Sequence, residues 1–312
     1  MILSCGEALI DMLPRDSTEG EPAFAPYAGG AVFNTAIALG RLGAPAGFLS
    51  GLSTDLFGDV LRATLAASHV DTGHAILSDR PTTLAFVKLT NGQASYAFYD
   101  ENTAGRLIRP SDLPALPASI TAMFFGGISL MVEPGGATYE ALMAREAASR
   151  VTMIDPNIRP SFIADAAHYR ARIARMIALA DIVKLSDEDL HWLEGDGDIT
   201  TLARGILTRG RSGMGPKVVF ITEGAAGARG ITARDEVFVA AQKVTVADTV
   251  GAGDTFNAGV LAALHQAGAL TKPALADLSA DLIRDALSLG TRAAAITVSR
   301  PGANPPWAHE LA

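Results

Sequence analysis

A succession of short apolar runs separated by amphipathic stretches constrains this chain more than any other feature. Strand-like segments stand at residues 2 to 6 (ILSCG), 46 to 51 (AGFLSG), 122 to 127 (AMFFGG), 151 to 155 (VTMID), 181 to 185 (DIVKL) and 217 to 222 (KVVFIT). Most are apolar throughout rather than alternating, as strands buried on both faces must be. Helical segments lie between most of them, for instance 34 to 43, closed by Gly43, and roughly 57 to 68. This repeated order predicts an α/β fold: a doubly wound, mainly parallel sheet with helices on both faces. Such a sheet needs a large core, and 312 residues, 49% hydrophobic and 19% charged, are enough to supply one.

One segment breaks the rhythm. TLAFVKLT and ASYAFY are joined across Asn91-Gly92, and Asn-Gly provides the positive φ angles of a tight type I′ turn. An antiparallel hairpin has no place inside a parallel sheet. It is expected to project with the segment from Asp11 to about Tyr27 as a small β-sheet lid, built from about 11–28 and 82–106 and inserted in a single domain spanning 1–312. By alternation, Leu84, Phe86 and Phe98 would share one face, and Val87, Leu89 and Tyr99 the other. If one face covers a ligand, the second needs another burial partner, such as a second subunit with Val87 on the outward side. The stretches 110 to 119, 195 to 198 and 209 to 216 are expected to be surface connections.

Composition narrows the chemistry. A formal net charge of -8 leaves no broad cationic surface for a polynucleotide, so nucleic acid is not an expected partner. The single cysteine, Cys5, excludes an internal disulfide and a cysteine-based zinc site. No basic segment leads into a long apolar stretch at the N-terminus, and nowhere do eighteen apolar residues run unbroken. The expectation is a cytoplasmic enzyme without a membrane span.

Two glycine motifs carry the chemistry. In DTVGAGDTFNAG (248 to 259), Gly251, Ala252 and Gly253 lead into a helix with Asp254 at its start. A bare helix N-terminus attracts phosphate, and a carboxylate beside it suits a base that takes a proton from an attacking hydroxyl. Aspartate is also a good helix cap, and the stretch alone leaves both roles open. In AGGAVFNTAIALGRLG (28 to 43), Gly29 and Gly30 allow close backbone approach ahead of Asn34, and Asp11 precedes them in GEALIDM. An amide and a carboxylate together suit a polyol, whose hydroxyls both donate and accept.

The pair formed by GGAVFNTAIALGRLG and DTVGAGDTFNAG resembles the two signatures of the PfkB, or ribokinase-like, carbohydrate kinases. The similarity runs from GEALIDM to SRPGANPPW, and FGGISL, DPNIRP and KLSDEDL resemble the bacterial fructokinases within that family. The resemblance implies a ribokinase-like fold and an ATP-dependent sugar kinase that uses magnesium; the two apolar faces of the hairpin add the expectation of a homodimer through the lids. Asp254 would be the base, with Gly251, Ala252 and Gly253 as the anion hole. Asp11, Gly29, Gly30, Asn34 and Arg159 would bind the sugar. Lys184, Thr222, Gly224 and Gly227 would lie along ATP, and a monovalent cation, K+, would sit at Asp248 and in SRPGAN. Many relatives have Asn-x-x-Glu where this chain has Ser186-Asp187-Glu188-Asp189, which leaves Asp189 as the carboxylate for the magnesium shell.

The implied acceptor is fructose, at its terminal hydroxyl. The alternatives are 2-keto-3-deoxygluconate or another sugar or nucleoside. A sugar acid needs a dedicated cation once water is shut out. The end of the second hairpin strand offers Asp100 instead, an acid able to accept hydroxyl hydrogen bonds.

A dinucleotide-dependent oxidoreductase would carry G-x-G-x-x-G directly after the first strand, but here that strand leads into GEALIDM. There is no Gly-Lys pair anywhere, hence no P-loop.

Overall fold

The computed structural model describes residues 1–90, 93–210 and 214–311, with the backbone alone for 88–90 and 93–96. In chain order the elements are β1 (Ile2–Cys5), β2 (Leu9–Asp16), β3 (Pro22–Gly29), α1 (Ala31–Arg41), β4 (Ala46–Leu49), β5 (Gly51–Ser53), α2 (Leu56–Ala67), β6 (Val70–Asp71), β7 (Ile76–Ser78), β8 (Thr83–Thr90) and β9 (Gln93–Tyr99). They continue with β10 (Ala122–Gly126), α3 (Gly135–Glu146), β11 (Val151–Asp155), α4 (Ala166–Leu179), β12 (Ile182–Ser186), α5 (Asp187–Glu194), α6 (Ile199–Leu207) and β13 (Val218–Thr222). Last come β14 (Gly227–Ile231), β15 (Glu236–Ala240), α7 (Ala252–Gln266), α8 (Lys272–Leu275) and α9 (Ala280–Val298).

Each expected parallel strand forms within a residue or two of its expected bounds. They assemble in the order β15-β14-β13-β12-β11-β10-β1-β4-β6. All neighbours from β13 to β6 are parallel, while β14 and β15 add an antiparallel edge. Successive side chains point to opposite faces, and the two cores follow that alternation. Ile2, Phe124 and Met153 pack with α1, α7 and α9 residues such as Phe33, Leu261 and Leu287. Leu3, Phe125 and Ile154 pack on the other face with Leu142, Ile173 and Ile206 of α3, α4 and α6.

The hairpin does stand outside that sheet. It joins a second sheet in the order β3-β2-β8-β9, with β2 and β8 parallel and the outer pairs antiparallel. The expected Asn91-Gly92 turn lies outside the described residues. Its register corrects the expected faces: Leu84 pairs with Tyr99, and Ala85 with Phe98. Partners across a ladder share a face, so Phe98 belongs with Ala85, Val87 and, through β2, Asp11. Leu84, Phe86 and Tyr99 lie on the opposite face, where Phe24 and Tyr99 each meet Phe86 edge to face with ring centroids 5.0 and 5.4 Å away. Val87 is buried on the Asp11 side and is not on the outward face.

Candidate active site

The carboxyl ends of β1, β10, β11 and β12 converge on a cavity of about 390 Å³, which the small sheet borders from one side. Its lining includes Asp11, Gly30, Asn34, Arg159, Lys184 and the turn Gly251–Asp254. Residues far apart in sequence meet here because ligand clefts of open α/β sheets form beyond the strand carboxyl ends.

Two helices aim their N-termini into the cavity, and neither starts like its neighbours. Helices α2, α4, α5, α6 and α9 are capped by the side chains of Asp55, Asp165, Ser186, Asp198 and Ser279. Helix α1 starts on Gly30 (φ 110°) and α7 on Gly251 (φ 77°), without a side-chain cap. These left-handed angles favour glycine. Space demands it too, since a Cβ on Gly251 would stand 2.7 Å from the Ala303 Cβ.

Asp254 does not cap α7. It lies in the first turn, and its Oδ2 accepts a hydrogen bond from Asn34 Nδ2 at 2.9 Å. The Thr35 hydroxyl donates to the Asp254 carbonyl at 3.2 Å, so α1 and α7 are tied at this point. Burial pushes the Asp254 carboxyl up to about 7; the Asn34 hydrogen bond and the Lys184 ammonium pull it down, while Asp155 and Glu7 push it up further. A carboxyl poised near neutrality suits a general base.

On the sugar side expected from the sequence, Asp11 projects from β2 toward Gly29. Its Oδ2 lies 2.4 Å from where a Gly29 Cβ would be, which accounts for that glycine. Burial raises the Asp11 carboxyl to about 6. Arg159 lines the cavity but is exposed, and its Nη1 donates to the Ile158 carbonyl at 2.9 Å.

Lys184 is buried behind the α7 turn. Its Nζ donates to Asp155 Oδ2 at 3.0 Å and lies 3.2 Å from where a Gly253 Cβ would be. Burial alone would lower the Lys184 pKa, but Asp155, Asp189 and Asp254 outweigh it and raise it. Asn257 Nδ2 donates to the same Asp155 oxygen at 2.7 Å. Asp189 is buried, and its Oδ1 accepts from the Ile158 N–H at 3.0 Å, holding the segment that carries Arg159.

Thr222, Gly224 and Gly227 follow from the end of β13, outside the cavity lining. Gly227 has a packing reason of its own, because a Cβ there would stand 2.2 Å from the Val239 carbonyl oxygen. Asp248 accepts from the N–H groups of Val250 and Gly302, each at 3.0 Å, and so joins its loop to SRPGAN. Asp100 is not in the cavity lining: its Oδ1 accepts from Arg106 Nη1 at 2.8 Å, and the pair neutralises itself. The expectation that Asp100 reads sugar hydroxyls gains no support from this placement.

Sequence reasoning missed Glu7, Asp155 and Asn257. The Glu7 carboxylate accepts from the N–H groups of Ala31 (2.9 Å), Val32 (3.4 Å) and Ser129 (3.2 Å). Burial raises its pKa, against the lowering effect of the Ser129 and Val32 donors. Glu7 and Asp155 share one legible signal, an acid at or just beyond the carboxyl end of a buried strand.

Among the described residues no group of three or more His, Cys, Asp or Glu side chains is arranged to hold a metal ion, and no helix is long and apolar enough to cross a membrane.

The model of the pfkB family carbohydrate kinases matches residues 1–310. A fructokinase of Rhizobium leguminosarum bv. trifolii is 57% identical over 285 residues, covering 91% of this chain and 86% of its own. The crystal structure of a Xylella fastidiosa fructokinase with bound ATP superposes with a TM-score of 0.86 at 28% identity, over 99% of this chain and 96% of that one. An aminoimidazole riboside kinase of Salmonella enterica, complexed with aminoimidazole riboside and an ATP analog, gives 0.83 at 26% identity, over 99% and 98% of the two chains. Signatures, fold and a match along almost the whole length converge on one conclusion: the chain belongs to the pfkB family of carbohydrate kinases.

Proposed function

We propose that this chain transfers the γ-phosphate of ATP to the terminal hydroxyl of D-fructose, giving fructose 6-phosphate. The observation that carries the proposal is the buried Asp254, held by Asn34 beside the uncapped α7 N-terminus, in one cavity with Asp11. The 57% identity to a fructokinase favours fructose over the alternative acceptors.

Asp11 and Asn34 orient the sugar, with Gly29 and Gly30 allowing it close to the backbone. Asp254 takes the proton of the attacking hydroxyl. A bond forms between that oxygen and the γ-phosphorus, the bond from the γ-phosphorus to the bridging oxygen breaks, and ADP leaves with the electron pair. The N–H groups of the Gly251–Gly253 turn and the Lys184 ammonium face the charge that develops on the phosphoryl oxygens, where fixed donors lower the barrier most. Asp155 and Asn257 hold Lys184 in place. Thr222, Gly224 and Gly227 border the rest of the nucleotide.

Magnesium supplies charge neutralisation on the ATP phosphates. The donor set suits an ion carried on those phosphates through water, because Asp155 and Asp189 each already hold a protein donor. Asp189 would be the carboxylate facing that water shell, and Asp248 with SRPGAN would hold K+. The small sheet acts as a lid. Its Phe24, Phe86 and Tyr99 face, with Phe24 48% and Tyr99 63% exposed, packs against the lid of a second copy. Sedimentation should then report a dimer that Phe86→Glu dissociates, and a monomeric wild type would remove this part. The enzyme acts in the cytoplasm.

The test of substrate is kcat/KM in an ADP-coupled assay for fructose, ribose, glucose, adenosine and 2-keto-3-deoxygluconate at saturating ATP and magnesium. Fructose should lead by at least about tenfold, roughly 1.4 kcal/mol in transition-state stabilisation. A lead by the sugar acid would assign Arg159 to its carboxylate and overturn fructose while leaving the kinase.

A further inference from the structure

We propose that Phe98 and Phe162 form a latch that couples the small sheet to the turn bearing Arg159 and closes the cavity to water. The inference rests on the proposed kinase reaction for its functional consequence, but not for the contact itself. Phe98 lies on β9, on the face of the small sheet that carries Asp11. Phe162 ends a 3-10 turn, Pro160–Phe162, that starts directly after Arg159. The two rings meet edge to face across the cleft, with centroids 4.4 Å apart and planes at 79°. That geometry sets the positive edge of one ring against the negative face of the other.

The turn transmits the contact. Phe162 N–H donates to the Arg159 carbonyl at 2.9 Å, so a displacement of the Phe162 backbone moves Arg159. At its other end the same segment is held by Asp189 on the Ile158 N–H at 3.0 Å. Arg159 thus sits between a fixed anchor in the large core and an anchor that belongs to the small sheet. When the sheet lies over the cavity, the Arg159 turn is held; when the sheet swings out, that support is lost.

The rings have a second consequence. Phe98, Phe162, Arg159, Asp11 and Asp254 all line the same cavity. Water competes with the sugar hydroxyl for the phosphoryl group, and Asp254 would activate either. An apolar wall that completes only when the sheet is over the sugar removes that competitor. Phe98 and Phe162 are positioning residues in this scheme, since neither can donate or accept a proton.

Both rings are only half-buried, so truncating either leaves the two main cores intact. The experiment compares the wild type, Phe98→Ala, Phe162→Ala and the double variant by two readouts. The first needs no substrate: hydrogen exchange of the peptide covering 157–163 in the ligand-free protein should accelerate by roughly twofold to tenfold in Phe98→Ala, the range expected from losing one aromatic pair. The second is steady-state kinetics with ATP and fructose. Each single variant should raise the fructose KM more than it lowers kcat, and should increase ADP released per fructose 6-phosphate formed. The double variant should lose no more than the worse single one, because both remove the same contact. Unchanged exchange at 157–163 in Phe98→Ala, or losses that multiply in the double variant, would overturn the latch. A wild type inactive on fructose would instead count against the substrate, and the exchange result would still decide the latch.

Discussion

Helices α1 and α7 start alike and end up with opposite tasks. Both follow a glycine at positive φ, both lack a side-chain cap, and both point into the cavity. At α1 the chain supplies its own anion: Glu7 takes the N–H groups of Ala31 and Val32 and also that of Ser129. At α7 the acid of the first turn looks away from the helix N–H groups and toward Asn34. An N-terminus already neutralised by a buried carboxylate has little left to attract phosphate, whereas one without such a partner keeps its partial positive charge. In the proposed reaction, the cavity thereby has one polar end for a neutral sugar and one for the transferred phosphoryl group.

The largest expected effect breaks the α7 side. Asp254→Asn should keep the fold and ATP binding while kcat falls by roughly 10² to 10⁴, the usual worth of general acid–base catalysis. Calorimetric ATP affinity beside steady-state turnover checks this, and turnover close to wild type would remove Asp254 as the base.

The matching change at α1 should act on stability. Glu7→Ala strips acceptors from buried backbone donors and should cost about 2 to 3 kcal/mol of unfolding free energy. Denaturant unfolding measures it, and Glu7→Gln, which keeps an acceptor oxygen, should recover part of the loss. A loss below about 0.5 kcal/mol, the range of ordinary surface changes, would mean that α1 does not depend on this internal anion.

A smaller effect tests the link between the helices. The Asn34 hydrogen bond favours the ionised form of Asp254, so Asn34→Ala should move the acidic limb of the kcat profile from about 7 to higher pH, by about one unit. A limb that stays in place would show that Asn34 serves the sugar alone.

A last effect is read as stability against pH rather than as turnover. The Asp254 carboxyl stands at about 7 in the folded chain against an ordinary 3.8. Between those values the native protein retains a proton that the unfolded chain has released, so this group lowers stability as pH rises through the window. Asp254→Asn cannot release it. The variant should therefore melt close to the wild type in acid and above it at alkaline pH, and an equal melting difference at every pH would contradict the shift.

Much of the site was readable because each motif is local. Gly251 and Gly30 need positive φ, Gly29 and Gly253 leave room for Asp11 and Lys184, and a short stretch of sequence reveals such demands. The departure at Ser186–Asp189 was visible too, but not that Asp189 would hold the Ile158 N–H. The hairpin faces were misread for a simple reason. The register pairs Thr90 with Gln93, so paired numbers sum to an odd total and even-numbered residues face odd-numbered ones. Phe98 therefore turns to the cavity and Tyr99 away from it.

The sequence by itself determined the strand and helix order, the parallel character of the large sheet, the separate small sheet and the two glycine turns. Hydropathy period and backbone sterics act over a few residues, and these features depend on nothing further. Only the tertiary structure decided that Asn34 would hold Asp254 across 220 residues of chain. The same holds for Glu7 filling the α1 terminus, for Asp155 anchoring both Lys184 and Asn257, and for Arg106 neutralising Asp100. Partners between elements depend on how the strands order and the helices pack. A carboxylate cannot show, from its neighbours in sequence, whether it will meet a backbone donor, an ammonium or a substrate.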